Sequence, residues 1–342
     1  MGAEAIGSLM AYRLATAGHS VTAVGSGAFS QAVAQRGLLV EENNKVLRAP
    51  EVKAVPHVED LEEDTPFDLV LITTKAFDTA VAAVQVQRFA RQGATLLVLQ
   101  NGVGGIDVAI GLLGPEQLYA GITTMPVQVL KPAVLRLLES RGGLGLAAVD
   151  SAQELPALAQ LFVEAGLKTQ IYEDCQAMQW SKLTLSMLAN AIPAILDWPL
   201  EQILADSRLY QLERQAVCEA WAVVQKLRVR LVSLPGYPVP QLVRGLCTLP
   251  PKLAYPVFRR AILHRRGGRP SPLQHDLRRG RRKSEVTFLN GAVARAGAQA
   301  GVPTPINRVL DNILTALARG EVPWSEYQGQ ADLLVRRARS GQ

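Results

Sequence analysis

Gly2-Ala-Glu-Ala-Ile-Gly7, followed by Ser8-Leu-Met-Ala-Tyr-Arg-Leu-Ala-Thr-Ala-Gly-His19, reads as a tight glycine turn opening a helix that ends at Gly18. Ser20 to Val24 then alternates and is β-branched, as a strand should be. Turn, helix and strand in that order make up most of a βαβ dinucleotide-binding unit, in which the helix N-terminus carries a pyrophosphate. Two parts of such a unit are missing. Its first strand should precede Gly2, where only Met1 stands, and the second glycine of G-x-G-x-x-G is Glu4. Glycine is wanted there so that backbone can approach the phosphates; a carboxylate adds bulk and like charge. Taken alone, the turn reads as well as an ordinary helix start.

Outward from this turn, strands and helices alternate, the signature of a parallel α/β sheet. Phe67 to Thr74 is an apolar run suited to a central strand buried on both faces, with Lys75 at its carboxyl end. Ala94 to Leu99 is a second such run, ending in Gln100-Asn101-Gly102. Ligands of open α/β sheets bind at the carboxyl ends of strands, which is where Lys75 and Asn101 fall. The competing reading of each is a turn residue or helix cap. Beyond Gly121, Val127 to Leu138 and Leu144 to Val149 are expected to pair as antiparallel strands. A helix from Ala152 to Ala165 and a strand from Lys168 to Tyr172 close the first domain. From Asp174 onward helical periodicity dominates, punctuated by Pro235, Pro238, Pro240, Pro250, Pro251 and Pro256. The expected fold is an α/β Rossmann-type domain over 1–173, lacking its first strand, followed by an all-α domain over 174–342.

A chain of 342 residues has room for two such domains. Its apolar runs are broken well before the ~18 to 20 residues that cross a bilayer, and MGAEAIGS lacks the pattern of a secretory signal, so a soluble, cytoplasmic protein is expected. Cys175, Cys218 and Cys247 are odd in number and far apart, suggesting neither a disulfide framework nor a metal site. Much of the net charge of +6 comes from His264 to Lys283, which holds Arg265, Arg266, Arg269, Arg278, Arg279, Arg281 and Arg282. No aromatic interleaves between Phe258 and Phe288, which favours a solvated basic face over a nucleic-acid patch. Such a face can also concentrate an anionic ligand.

In the second half Trp180 to Asn190, WSKLTLSMLAN, stands out. Lys182, Ser186 and Asn190 recur every four residues, so on a continuous helix they share one face. Leu183, Leu185, Met187, Leu188 and Ile192 fill the other positions, so the polar stripe has to meet something polar. The competing reading has Lys182 snorkelling to solvent and Ser186 bonding back to its own helix. Ser271-Pro-Leu-Gln-His-Asp276 and Ser284-Glu285-Val286 form a second polar island, where Glu285 would also suit a helix start.

Taken together, GAxAIGS at the start, TTKAFDT, LQNGVG, WSKLxxxxxxN, the DLxRGR/SEV block and GVPTPIN at Gly301 to Asn307 resemble the ketopantoate reductase (2-dehydropantoate 2-reductase) family, over nearly the whole chain. The resemblance implies a Rossmann domain, a helical C-terminal domain, an active site between them and NADP(H) as hydride donor, with NAD(H) as the alternative. By position, Lys182 matches the family's catalytic lysine, Asn190 its second helix asparagine and Asn101 the asparagine after the strand. Lys75 matches the coenzyme-side lysine and Glu285 the substrate-binding glutamate. Gly2, Ala5, Ile6 and Gly7 fall on the coenzyme turn, to which Asn101 also contributes. Ser186 replaces the family's first helix asparagine. Ser271 lies one position from its serine, and Ser26 stands where members place an arginine for the 2′-phosphate. Reduction of a 2-oxo acid leaves an alkoxide, which Lys182 would stabilise and protonate. Asn101 and Asn190 would orient the substrate's oxygens, and Glu285 would accept from its hydroxyl. The expected activity is ketopantoate reduction in pantothenate biosynthesis. The alternatives are another 2-oxo acid, or a coenzyme-impaired, non-catalytic relative. The expected partner is a small 2-oxo acid, with no nucleic acid and no membrane; the reading admits a homodimer.

Overall fold

The computed structural model describes residues 1–138, 142–150, 155–266 and 268–341. Contacts divide them into two compact units: Met1–Gln100, Gly105–Met178 and Leu234–Tyr237 form the first, and Asn101–Gly104, Gln179–Ser233 and Pro238–Gln342 the second. No helix among the described residues is long and apolar enough to cross a membrane.

The first unit is α/β. Its helices are α1 (Ala5–Thr16), α2 (Gly27–Arg36), α3 (Thr79–Arg91), α4 (Gly105–Leu113) and α5 (Leu155–Glu164). Its strands are β1 (Val21–Val24), β2 (Leu39–Glu42), β3 (Lys45–Arg48), β4 (Val52–Val55), β5 (Leu69–Ile72), β6 (Thr95–Leu99), β7 (Leu118–Thr123), β8 (Val127–Lys131), β9 (Val134–Leu137), β10 (Leu144–Ala148) and β11 (Thr169–Tyr172). β5, β6 and β7 run parallel, as do β1 and β4. Leu9, Met10 and Leu14 of α1 enter the core with Leu97, Leu135 and Phe162. β2 and β3 form a hairpin across Asn43-Asn44, both with positive φ, the backbone that a two-residue turn requires.

Among the described residues no strand runs between β1 and β5, and these strands lie in two separate sheets, a parallel pair β4-β1 and a mixed sheet β5-β6-β7-β10-β11 in which β7 and β10 are antiparallel. The only backbone in that interval is the chain start. The Met1 amine donates to Leu71 O at 2.8 Å and Thr73 N to Met1 O at 2.9 Å, while Gly2 N reaches Val24 O at 3.0 Å. The run Phe67 to Thr74 is therefore an edge strand, with Leu69 and Leu71 only half-buried, where a central one was expected. A second expectation fails as well. Val127–Leu137 folds on itself, β8 against β9, and joins β2, whereas β10 pairs with β7 and β11. Ala133, with φ +58°, turns that hairpin locally and leaves β10 to find other partners. The helix expected from Ala152 runs from Leu155, its first residues lying outside those described.

The second unit is helical. It comprises most of α6 (Cys175–Met187), then α7 (Ala191–Leu196), α8 (Leu200–Ala205), α9 (Ser207–Lys226), α10 (Val239–Thr248), α11 (Pro251–Arg266), α12 (Pro272–Arg278), α13 (Asn290–Ala300), α14 (Pro305–Arg319) and α15 (Ala331–Ser340). Its core joins Leu183, Ile192 and Ile195 to Val286, Leu310 and Leu314. Within the basic stretch Arg278 pairs with Asp197 and Arg281 with Asp276, so part of that charge ties α12 to its surroundings. One cysteine reading is corrected: Cys218 on α9 and Cys247 on α10 form a disulfide, their Cα atoms 5.5 Å apart. Separated by 29 residues, they meet because the two helices pack side by side. Burial pushes the remaining free thiol, Cys175, up to about 12.

Candidate active site

In the first unit the glycine turn is interlocked with the end of β5. Gly2 has φ +86°, and a Cβ there would lie 2.6 Å from Thr74 N. At Gly7 a Cβ would overlap Gly2 O and Thr73 Oγ1. The Thr73 hydroxyl is shared between Met1 O and Gly2 O, at 2.7 and 3.0 Å. The chain can come this close only because both positions lack side chains. Ala5 and Ile6 occupy the first turn of α1, whose N-terminus carries the exposed Glu4. Two residues after Thr73, Lys75 is half-buried and leads a 3-10 turn, Ala76–Asp78. Gln100 holds this segment: its Nε2 donates to Thr74 O at 3.0 Å and its Oε1 accepts from Thr79 Oγ1 at 2.9 Å. Sequence reasoning passed over Gln100 and Thr73; the signal was their place at the two strand ends already marked by Asn101 and Lys75. Ser26 caps α2, its Oγ accepting from Phe29 N at 3.3 Å.

In the second unit the Asn101–Gly104 loop is latched to the 3-10 turn Glu285–Phe288. Val103 N donates to Phe288 O at 3.1 Å, and a Cβ on Gly102 (φ +91°) would overlap that same carbonyl. Asn101 and Glu285 are thereby brought into one substructure, with Glu285 buried and Asn101 half-buried. Asn101, expected on both ligands, groups here and not with the glycine turn.

Lys182 lies in α6 and is 6% exposed, far more enclosed than a lysine on a solvated helix face. Ser186 follows one turn later and is half-buried. The continuous helix expected from the four-residue spacing is not found. α6 stops at Met187, and Ala189, with φ +53°, separates it from α7. Asn190 nevertheless stays joined to Ser186, its Nδ2 donating to Ser186 O at 3.0 Å. Its Oδ1 accepts from Leu273 N at 3.3 Å and its carbonyl from Ser271 Oγ at 2.8 Å. Ser271 itself caps α12 in a box with Gln274. Ser186, Asn190 and Ser271 are thus one hydrogen-bonded group, with Lys182 a helical turn from it. A cleft of about 300 Å³ at Gly142, Lys168 and Pro235 involves none of them.

The motif GVPTPIN also finds its place. Glu219 of α9 accepts from Ile306 N and Asn307 N, both at 3.0 Å, and from Asn307 Nδ2 at 2.8 Å, satisfying the start of α14. Burial raises the Glu219 carboxyl above its ordinary range, against those bonds.

The sequence model of ketopantoate reductase PanE/ApbA matches residues 1–150, and that of its C-terminal domain residues 174–318. The chain belongs to the ketopantoate reductase family. A 2-dehydropantoate 2-reductase of Mesorhizobium japonicum is 27% identical over 340 residues, covering 93% of this chain and 95% of its own. One from Pyrococcus horikoshii is 26% identical over 315 residues, covering 91% and 93%. Among solved structures, a PanE/ApbA family ketopantoate reductase from Ralstonia eutropha superposes with a TM-score of 0.79 at 26% identity, covering 94% of this chain and 98% of its own. A ternary structure of D-mandelate dehydrogenase with NADH and anilino(oxo)acetate gives 0.77 at 22% identity, covering 93% and 97%, a likeness of fold. The structure gives Ser26 a capping role that leaves no cation at that position.

Proposed function

We propose that this chain reduces 2-dehydropantoate to pantoate, with NADPH as hydride donor and Lys182 as the proton-donating group. The observation that carries the proposal is the latch of Val103 N on Phe288 O, which seats Asn101 beside the turn bearing Glu285. In the coenzyme unit the fit rests on the close packing of Gly2 and Gly7 against Thr73 and Thr74, which sets the turn, and on the start of a helix twelve residues long that no side chain caps. Gly2, Ala5, Ile6, Gly7 and Lys75 would hold the dinucleotide; the nicotinamide supplies a hydride to C2 of the oxo acid. Lys182 Nζ stabilises the oxygen as it becomes an alkoxide and delivers the proton that completes the hydroxyl. Asn101 holds an oxygen of the substrate. Glu285 accepts from its hydroxyl, and Asn190 acts mainly through the group it assembles with Ser186 and Ser271. The preference for NADPH is weak in this reading, since Ser26 offers a hydroxyl where a cation would meet a 2′-phosphate. We place the protein in the cytoplasm, where the Cys218–Cys247 disulfide would have to withstand a reducing environment.

The test is coenzyme oxidation by the purified chain, with ketopantoate, a straight-chain oxo acid and an aromatic oxo acid, each under NADPH and NADH. Ketopantoate is expected to give the highest kcat/KM. Turnover of another oxo acid in its place would transfer the activity to that substrate. No oxidation with any of them would favour the coenzyme-impaired reading, to which Glu4 points.

A further inference from the structure

α9 is 20 residues long and buries a stripe containing Leu209, Leu212, Ala216, Ala220 and Val223. Glu213 lies within that stripe and is only 3% exposed, a carboxylate where the periodicity asks for an apolar side chain. Its Oε2 accepts the Ala189 N–H at 3.0 Å. In an unbroken helix that N–H would bond Leu185 O, and Asn190 N would bond Ser186 O. Here Glu213 serves the first, and the Asn190 side chain occupies Ser186 O. Ala189 meanwhile takes a left-handed backbone that its Cβ disfavours, and Pro193, four residues on, supplies no N–H for Ala189 O and would clash with that carbonyl in a continuous helix. The proline interrupts the helix, and the buried carboxylate on α9 takes up the Ala189 N–H that the interruption releases.

We propose that Glu213 is a positioning residue for the reductase reaction: by holding Ala189 it fixes the break between α6 and α7, and with it the group through which Asn190 and Ser186 meet the 2-oxo acid. The inference rests on reading that group as part of the substrate site. Without that hold on Ala189, Asn190 would shift from Ser271 and Leu273, and affinity for the oxo acid would fall while the coenzyme unit was untouched.

Three substitutions separate this role from simple support of the fold. Glu213→Gln keeps an acceptor oxygen at the same reach, Glu213→Asp withdraws it by one methylene, and Glu213→Ala removes it. KM for the 2-oxo acid should rise about tenfold or more in the Asp and Ala variants and stay within about threefold in Gln, with coenzyme Kd unchanged in all three. Hydrogen exchange across the break should quicken in Asp and Ala but not in Gln. Equal KM in Asp and wild type, or a fall in kcat alone, as loss of folded enzyme produces, overturns the proposal; so does unaltered exchange. If Ala does not fold, the Asp and Gln pair decides. If the wild type reduces no 2-oxo acid, the proposed function fails by itself, and the exchange comparison still shows whether Glu213 sets the break.

Discussion

Giving the chain a strand of about five residues ahead of Met1 should stabilise the first unit, and part of the gain should depend on pH. The Met1 amine is enclosed beside Leu71 O although the residue as a whole is partly exposed, and burial lowers its pKa from 8.0 to about 6. The folded state therefore holds the proton less tightly than the unfolded state. Above pH 8 both states are neutral and nothing is lost; as pH falls the unfolded chain takes up the proton first, and stability drops until about pH 6, below which both are charged. Two pH units at ~1.4 kcal/mol each come to about 3 kcal/mol. Converting the amine into an amide keeps the donor to Leu71 O and removes the charge. The added strand would also bond to the open sides of β1 and β5, at about 0.5 to 1.5 kcal/mol per hydrogen bond. Urea denaturation of the original, N-acetylated and strand-extended chains at pH 6 and pH 8 isolates the two effects, because the histidines titrate alike in all three. Acetylation should abolish most of the extra loss at pH 6, and extension should add stability at both pH values. A pH 6 deficit that survives acetylation refutes the account of the amine. An extended chain no more stable than the acetylated one refutes the account of the vacant strand position.

Lys182→Ala should lower turnover by about two to three orders of magnitude with coenzyme binding retained; a loss under about tenfold removes Lys182 from the proton-donating role. Glu285→Gln should raise KM for a hydroxylated oxo acid more than for one lacking the hydroxyl, and equal effects would leave Glu285 a helix-start residue only. Ser26→Arg should shift the ratio of NADH to NADPH dissociation constants toward NADPH by about tenfold, at about 1 kcal/mol of stability from the lost cap; an unchanged ratio would show that this position does not meet the 2′-phosphate.

Where neighbours along the chain decide conformation, sequence sufficed. The turn at Gly2, α1, β1 and the strand ends at Lys75 and Asn101 follow from glycine, helical periodicity and apolar runs, and all of them are found. Where a distant residue decides, it did not. Pro193 in LTLSMLANAIPAIL foreshadows a break near Ala189, but the group that takes up the Ala189 N–H lies 24 residues away on α9 and cannot be read from that stretch. The sequence did carry a trace of it: an acid at a core position of an amphipathic helix has to meet a donor, and a backbone N–H released by a helix break is one. The same reasoning explains why the four-residue spacing predicted the wrong helix and still the right neighbours. Asn190 Nδ2 on Ser186 O replaces the bond that the break removes, so the Asn190 side chain stays at the last turn of α6 although the helix has ended. In such a site the Asn190 amide and the Ser271 hydroxyl are already bonded to backbone before any substrate arrives. Substituting the Asn190 or Ser271 side chain should therefore disturb the local geometry as well as remove its own contact, and the Asn190–Ser271 pair should cost less than the sum of the single substitutions, whereas Ser186→Ala leaves the carbonyl that Asn190 bonds.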